Sequence, residues 1–434
     1  MRASRFDAHD CREVGRGVEV AADTCPKVSF VLGPNDPSGA RYGARNDYRL
    51  ELEDVPASPF LERLSRSGVV SDTYFINGEY RAHALGNRGP LRFDANGALA
   101  HDIVEAYDDT GFYVFEELIG ATELADLISD YQDMHARAPA SSTRAAARGK
   151  AVLGRETDGP GFHFAKPLSD PLGGTDAFNG RHAARMTEVK PPPNAPEEVL
   201  YFISGGLQLM DSFLRLSGHP NLLAMAEAIY GPDFAPFSDA IWIKEPGLGS
   251  SVAWHQDGTT HWDNPDWDRD IHGLNFMTQL HGSNSVNALW VVPGSHKVGK
   301  IDIKALVDGI GSDRLPDAVP MLSQPGDVAV CNRQLLHGSF PNTSSKKRVS
   351  LVFGAHRRSS VLDIKGWTHG LYDRARVYQR SRVIALAIDA RRQRFPDETP
   401  YVYQPVTGQE DDNQWSPDTR ESLLRNYNLN DLRI

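Results

Sequence analysis

Short β-type runs between about residues 238 and 360 limit most strongly how this chain can fold. The segments 240–244, 288–292, 327–330 and 348–353 are rich in β-branched and other apolar residues. Gly, Pro, Asn and Asp separate these segments, and such residues favour turns. Repeated short strands of this kind are typical of a jelly-roll or barrel. We therefore predict a mainly β fold with flanking helices (α+β), whose core is a double-stranded β-helix of the jelly-roll, cupin-like type.

Helical patterns flank the predicted strands. A strand at 111–115 is followed by apolar residues at helical spacing after Thr122, and further helices are predicted at 221–230 and 382–394, before Gly231 and Pro396. Residues 138–160 are rich in Ala, Ser, Arg and Gly, and 191–196 is rich in proline, so both segments predict loops. We expect an N-terminal extension of unknown role (1–95), a jelly-roll domain (96–380) with a lid-like insert at about 138–197, and a C-terminal helical tail packing on the core (381–434).

Charge and cysteine content exclude several classes of partner. The formal net charge of -11 and the lack of a long Lys/Arg block argue against nucleic acid and anionic membranes as partners. Neither feature indicates an oligomeric state. Cys11, Cys25 and Cys331 show no CxxC spacing, which favours a reducing compartment. No run approaches the roughly 18 apolar residues of a membrane span, and the N-terminus lacks a secretory apolar stretch. We expect a cytoplasmic protein that acts on a small molecule.

The sequence contains one pair of side chains with metal-ligand spacing on a predicted strand. His255 and Asp257 are two residues apart, so in a strand their side chains point to the same side. The pair alone is weak evidence, because a chain with 15 histidines contains about one such His-x-Asp by chance. His337, which follows a turn and a strand, is the best candidate for a third ligand. Two histidines and one carboxylate would leave three coordination positions open.

Arg348, eleven residues after His337, is the candidate anion-binding residue. Its planar guanidinium offers two parallel donors to a carboxylate. Ser350, on the same strand face, or Ser339 would assist it. Lys244, just upstream of the His-x-Asp strand, could reach the same ligand or the substrate, or could be a solvated edge lysine.

In the order and spacing of several motifs the sequence resembles the phytanoyl-CoA dioxygenase family. The matching elements are Trp-His-Gln-Asp at 254–257, the segment 288–296 ending in Pro-Gly-Ser-His, Gly-Asp at 326–327, and His-Gly-Ser-Phe-Pro-Asn at 337–342 with Arg348. The strand and helix that begin near residue 109 also look like the N-terminal unit of the family. The resemblance covers roughly residues 100–360 and departs at 286–287, where the family commonly has Asn-Gly and this chain has Val-Asn.

The resemblance implies a chemistry. It implies iron(II) held by His255, Asp257 and His337, with 2-oxoglutarate bound by Arg348 and O2 as the second co-substrate. The expected reaction is hydroxylation of an unactivated C–H bond of an amino acid, secondary metabolite or acyl derivative, with succinate and CO2 as by-products. Desaturation, epimerisation or cyclisation by the same chemistry stays open, whereas chlorination is disfavoured because family halogenases lack the carboxylate that Asp257 supplies. The alternative from a different functional class is a non-catalytic jelly-roll that binds a carboxylate ligand or serves as an assembly partner.

Three tryptophans near the predicted metal ligands are candidates for the wall of the substrate pocket. They are Trp242, Trp254 and Trp262. Aromatic residues in strands more often belong to the core, so a packing role stands beside this interpretation. His261, His272, His281 and His356 show no partner in the sequence and are assigned no role.

Overall fold

The computed structural model describes residues 72–143, 161–178, 180–257, 273–366, 370–425 and 427. Trp262 and residues 1–71 of the predicted N-terminal extension lie outside the described residues. The strands of the described part are β1 (Arg88–Gly89), β2 (Phe112–Phe115), β3 (Gly161–Ala165), β4 (Val199–Ser204), β5 (Phe234–Lys244), β6 (Val252–His255), β7 (Leu274–Gln279), β8 (Trp290–Val291), β9 (Val319–Pro320), β10 (Val328–Asn332), β11 (His337–Ser339), β12 (Arg348–Arg357), β13 (Lys365–Gly366) and β14 (Gly370–Leu371).

Helices lie before, between and after these strands. The α-helices are α1 (Thr73–Ala84), α2 (His101–Thr110), α3 (Ala121–Arg137), α4 (Gly206–Leu209), α5 (Asp211–Ser217), α6 (Pro220–Tyr230), α7 (Ile303–Ile310), α8 (Arg374–Arg394) and α9 (Pro417–Leu424). Short 3-10 helices lie at Ser295–Val298, Arg358–Ser360, Gln404–Val406 and Asp411–Asn413. None of the helices in the described ranges is long and apolar enough to cross a bilayer.

Two sheets form the core of the fold. The major sheet has the strand order β1-β2-β10-β7-β12-β5-β4-β3, and the minor sheet has the order β6-β11-β8-β9. From β5 to β12 the chain passes back and forth between the two sheets, and each of these strands pairs antiparallel with its neighbours. This winding is that of a jelly-roll, so the predicted fold class is confirmed.

The two faces of the major sheet bury different residues. Side chains alternate along a strand, so on β5 and β12 Ile241 and Leu351 face a large outer core while Ala240 and Val352 face the minor sheet. Helices α3, α5, α6 and α8 cover the outer face with their apolar residues. The apolar residues of the inner face, among them Phe112, Phe202 and Met277, form a second, smaller core cluster in the space between the two sheets, and we call this space the chamber.

Helix boundaries follow from caps as well as from periodicity. Helix α6 begins at Pro220, close to the predicted start, and ends at Tyr230, where Gly231 caps it. Helix α8 begins at Arg374 rather than at the predicted residue 382, because the Asp373 carboxylate accepts a hydrogen bond from the Arg376 backbone N–H at 2.8 Å and caps the helix. Residues 374–381 are polar and show little apolar periodicity, so the sequence did not indicate this first part of the helix.

Residues 72–95, within the predicted N-terminal extension, form α1 and β1. Strand β1 pairs in parallel with β2 at one edge of the major sheet. Helix α1 packs against the back of the minor sheet, where the ring of Tyr74 stacks on that of Trp290 with centroids 4.8 Å apart. Gly78 permits this close approach, because a Cβ there would lie 2.2 Å from the Trp290 ring.

Replacing Gly78 with alanine should therefore destabilise the protein. The added methyl group forces Trp290 or α1 to shift, and overpacking of this kind costs about 1–3 kcal/mol. A matched control is Gly309→Ala in α7, where nothing lies within 4 Å of the new Cβ and alanine should stabilise the helix by up to about 1 kcal/mol. Thermal melts of the three proteins measure the difference. Equal melting temperatures for Gly78→Ala and the parent would contradict the packing described.

Candidate metal centre

Two paired strands of the minor sheet bring two histidines together. His255 ends β6 and His337 begins β11, and the two residues are direct partners in the antiparallel register. Their ring centroids are 4.0 Å apart, and both side chains are buried. The strand pairing thus joins two residues that lie 82 positions apart in the sequence into one pair of imidazoles.

Asp257 completes the group two residues after His255. Its backbone N–H donates to the Arg333 carbonyl at 2.9 Å, which holds the chain beside β11 after β6 has ended. One ligand atom each from His255, Asp257 and His337 lie within 4.8 Å of one another. Within the described ranges these three residues are the one His/Cys/Asp/Glu group of this kind.

Backbone contacts turn both imidazoles in the direction that a metal requires. His255 Nδ1 lies 2.8 Å from the Ala253 carbonyl, and His337 Nδ1 lies 2.7 Å from the Leu335 carbonyl. A carbonyl accepts but cannot donate, so each Nδ1 carries the proton and each Nε2 keeps its lone pair. Because the lone pairs are prepared in this way, the three residues fit a divalent metal.

Electrostatics keep all three groups in the form that binds metal. Burial lowers the pKa of His255 well below its ordinary value, with His337 and His182 adding to the effect, and burial likewise lowers the pKa of His337. Burial alone would raise the pKa of Asp257, but the guanidinium groups of Arg181 and Arg333 outweigh it and hold that pKa well below its usual range. Neutral imidazoles and an ionised carboxylate result.

Two buried basic side chains lie on the inner face of the major sheet. Arg348 on β12 and Lys244 on β5 are direct partners in the sheet register, and neither has a carboxylate within salt-bridge distance in the described part of the chain. Arg348 Nη1 donates to the Asn287 carbonyl at 2.9 Å, while its buried Nε has no hydrogen-bond partner among the described residues. Burial lowers the pKa of Arg348 to about 10, so the guanidinium stays charged. An orphaned donor on a buried cation suits an anionic ligand.

The other residues proposed to assist Arg348 are placed differently. Lys244 Nζ donates to the carbonyls of Ser250 (2.7 Å) and Phe340 (2.5 Å), and burial, then Arg348, lowers its pKa well below the usual range. Ser350 Oγ donates to Gln279 Oε1 at 2.8 Å. The buried Ser339 Oγ has no hydrogen-bond partner in the described part of the chain. Arg348 and Ser339 thus keep capacity for a ligand, whereas Lys244 and Ser350 already have partners.

The candidate tryptophans lie in different environments. Trp242 is the register partner of Ser350 and packs on Phe202 with ring centroids 4.5 Å apart, beside the inner chamber. Trp254 belongs to the core behind the minor sheet, where its indole N–H donates to the Asp313 carbonyl at 2.6 Å. Since Trp254 and His255 are adjacent in β6, their side chains point to opposite faces, and the structure does not bring Trp254 to the metal centre.

The loop between β3 and β4 contributes two residues that the sequence did not indicate. Arg181 Nη1 lies 3.1 Å from Asp257 Oδ1. The His182 ring packs against that of His255 with centroids 4.4 Å apart, is 1% exposed, and has no hydrogen-bond partner for either nitrogen within the described segments. Burial, then Arg181, lowers the pKa of His182 to about 2, so this imidazole is neutral. The loop falls within the predicted lid-like insert, whose residues 144–160 lie outside the described residues.

The donor set and the chamber point to a class of protein. Two histidines and one carboxylate that leave coordination positions open are the facial triad of non-haem iron(II) oxygenases. A buried arginine on the facing sheet suits a dicarboxylate co-substrate such as 2-oxoglutarate. The fold and the donor set are therefore those expected of an iron(II)/2-oxoglutarate oxygenase.

Comparison with known sequences identifies the family. The sequence model of the phytanoyl-CoA dioxygenase (PhyH) family matches residues 107–350, more than half of the chain. The chain belongs to this family, and the resemblance seen in its motifs is confirmed.

Individual relatives match over shorter regions. Phytanoyl-CoA dioxygenase 1 of Oryza sativa subsp. japonica is 31% identical over 117 residues, which is 25% of this chain and 40% of the relative. Phytanoyl-CoA dioxygenase of Arabidopsis thaliana is 34% identical over 114 residues, 24% of this chain and 38% of the relative. The match therefore spans about two fifths of the length of these relatives. Among solved structures, EctD from S. alaskensis with 2-oxoglutarate and 5-hydroxyectoine is similar with a TM-score of 0.41 and 20% identity, over 63% of this chain and 84% of EctD.

Proposed function

We propose that this protein is a dioxygenase that uses iron(II), 2-oxoglutarate and O2 to hydroxylate an unactivated C–H bond of a small molecule. The observation that carries the proposal is the buried group of His255, Asp257 and His337, which faces a chamber that also contains the buried Arg348. Family membership supports it. A cytoplasmic location, expected from the cysteine content, is part of the proposal.

The chemistry that the bound iron supplies is oxidative decarboxylation of 2-oxoglutarate by O2, which gives succinate and CO2 and places one oxygen atom in the substrate. His255, Asp257 and His337 would hold the metal, and the carbonyls of Ala253 and Leu335 keep both imidazoles turned for coordination. Arg348 would bind the far carboxylate of 2-oxoglutarate with two parallel donors. Ser339 is a candidate for a further hydrogen bond, while Lys244 and Ser350 support the strand geometry around Arg348.

The chamber between the sheets excludes water from the reacting groups. Apolar side chains of both sheets line it, among them Met277 and Val352 from the major sheet and Val291 from the minor sheet. In such surroundings charge-assisted hydrogen bonds to a dicarboxylate are stronger than in water. The substrate class we propose is a small amino acid, secondary metabolite or acyl derivative, because the net charge of -11 does not favour nucleic acid.

Anaerobic addition of iron(II) and 2-oxoglutarate to the metal-free protein tests the proposal. The expected result is the weak visible charge-transfer band that a 2-oxo acid shows when it chelates iron(II) through two oxygens. A non-catalytic carboxylate-binding or assembly module should give no band. His337→Ala is the matched control, since it keeps Arg348 but removes one metal ligand. A band of equal strength in this variant would overturn the proposed site.

A panel of metabolites, scored by substrate-stimulated succinate formation, then identifies the substrate class. Mass spectrometry of the product separates the outcomes of the same chemistry. One added oxygen indicates hydroxylation, loss of two hydrogens indicates desaturation or cyclisation, and an unchanged mass indicates epimerisation. If a compound stimulates succinate formation but its product contains no added oxygen, the proposed reaction changes from hydroxylation to one of the other outcomes.

A further inference from the structure

The two oxygens of the Asp257 carboxylate have different neighbours. Oδ2 accepts a hydrogen bond from the side-chain amide of Asn275 at 2.9 Å, and the Arg333 guanidinium lies farther away, with its Nε 3.7 Å from the same oxygen. Oδ1 lies 3.7 Å from His255 Nε2 and 3.1 Å from Arg181 Nη1. Oδ1 is thus the oxygen that faces the histidines, and a cation of the protein already contacts it.

Asn275 holds the carboxylate without adding charge. It lies on β7, and its direct partner on β12 is Gly354, where a Cβ would come within 3.0 Å of the Asn275 side-chain oxygen. The glycine therefore leaves the space that this amide occupies. A neutral donor on Oδ2 fixes the carboxylate plane and leaves Oδ1 for coordination, and outer partners of this kind typically change metal affinity 10- to 100-fold.

Arg181 acts on the same carboxylate with a full positive charge. The loop that carries it is well fixed, because Asp170 accepts hydrogen bonds from Gly173 and Met186 backbone N–H groups at 2.9 and 2.7 Å, and Gly174 donates to the His182 carbonyl at 2.7 Å. The Arg181 side chain also packs over the Phe178 ring at 5.1 Å. A guanidinium held against Oδ1 repels a divalent cation at the same oxygen and competes with it.

We propose that Asn275 and Arg181 are positioning residues that act on Asp257 in opposite directions. Asn275 promotes metal binding by orienting the carboxylate, and Arg181 opposes metal binding by placing a positive charge 3.1 Å from the metal-facing oxygen. The metal must therefore share Oδ1 with Arg181 or displace it, because each carboxylate oxygen has more than one lone pair. This inference rests on the proposed metal site but concerns two residues outside it.

Titration of the metal-free protein with cobalt(II), followed by the visible absorption of the bound ion, tests this inference without turnover. Arg181→Gln should bind cobalt(II) roughly 10- to 100-fold more tightly than the parent, because a positive charge next to the ligand is removed. Asn275→Ala should bind it roughly 10- to 100-fold more weakly. Arg181→Lys, which keeps the charge, should stay close to the parent. Arg185→Gln is the matched control, since Arg185 is on the same loop but pairs with Glu188, and its affinity should not change.

The outcomes separate this inference from the proposed function. If Arg181→Gln binds cobalt(II) no more tightly than the parent, Arg181 is an ordinary ion-pair partner and its opposing role is overturned. Unchanged affinity in Asn275→Ala overturns the orienting role, provided that its melting temperature shows a folded protein; Asn275→Ser serves as the second variant if it does not. If the parent and Asp257→Ala bind cobalt(II) equally, the metal site itself fails, and the proposed function and this inference fail together.

Discussion

Alanine at position 255, 257 or 337 is expected to reduce substrate-stimulated succinate formation to background. Loss of a partner behind a metal ligand typically costs 10- to 100-fold, so loss of one of three direct ligands should cost at least ~10³-fold. All three side chains are buried, and the pairing of β6 with β11 holds the two histidines opposite each other, so each variant leaves a gap in the ligand set. Iron content and succinate formation of His255→Ala, Asp257→Ala and His337→Ala are the measurements.

A histidine far from the triad gives the control for these variants. His101, exposed at the start of α2, can be replaced by alanine with no expected effect on either measurement. Full activity of Asp257→Ala with one iron per chain would reject the assignment. Zinc in the protein as first isolated would not, because zinc binds such ligand sets more tightly than iron(II).

Arg348→Ala should weaken the apparent affinity for 2-oxoglutarate more than any other single change outside the triad. The far carboxylate would lose its partner in a dry chamber, at a cost of about 2–5 kcal/mol. This corresponds to roughly 30- to several-thousand-fold in affinity. Lysine at this position should recover part of the loss, because it restores the charge but not the two-donor geometry. Titration with 2-oxoglutarate, at matched iron occupancy, measures the change.

Two further variants make this experiment interpretable. Lys347→Ala removes the neighbouring cation, which pairs with Glu245 outside the chamber, and should leave the titration unchanged. Arg348→Met retains side-chain volume, so it distinguishes loss of the carboxylate partner from loss of packing. If the curves of the parent and Arg348→Ala coincide, the co-substrate site must instead be sought around Lys244.

Local patterns in the sequence predicted the fold class and selected the residues that meet at the metal centre. Strand alternation has a period of two, so His255 and Asp257 could be placed on one side from their spacing. Strand-like runs and turn residues between 238 and 360 predicted the jelly-roll. The position of His337 came from motif order, and the structure explains it through the register of β6 and β11. The roles of these residues remain predictions for the experiments above.

Contacts between distant segments could not be predicted in this way. Arg181 and His182 lie in a loop, where no periodicity indicates which side chains reach the metal centre. Asn275 was in principle detectable, because it and Gln279 lie on the same face of β7 by the alternation of side chains along a strand. The direction of the Lys244 side chain was not detectable, because the two groups that accept its hydrogen bonds are backbone carbonyls of separate loops. The chemical type of a side chain alone does not indicate which backbone carbonyls it will contact.

The position of helix α1 has a practical consequence for anyone who trims this protein for expression or crystallisation. The family match suggests natural ends at 107 and 350, but α1 lies before the first of these positions and covers Trp290 and Phe340 behind the strands that carry both histidines. A chain cut at 107 would expose these rings to water and to other molecules. One cut at 350 would remove most of β12 and the whole of α8. Trimmed versions should therefore begin before Asp72 and retain the C-terminal helices.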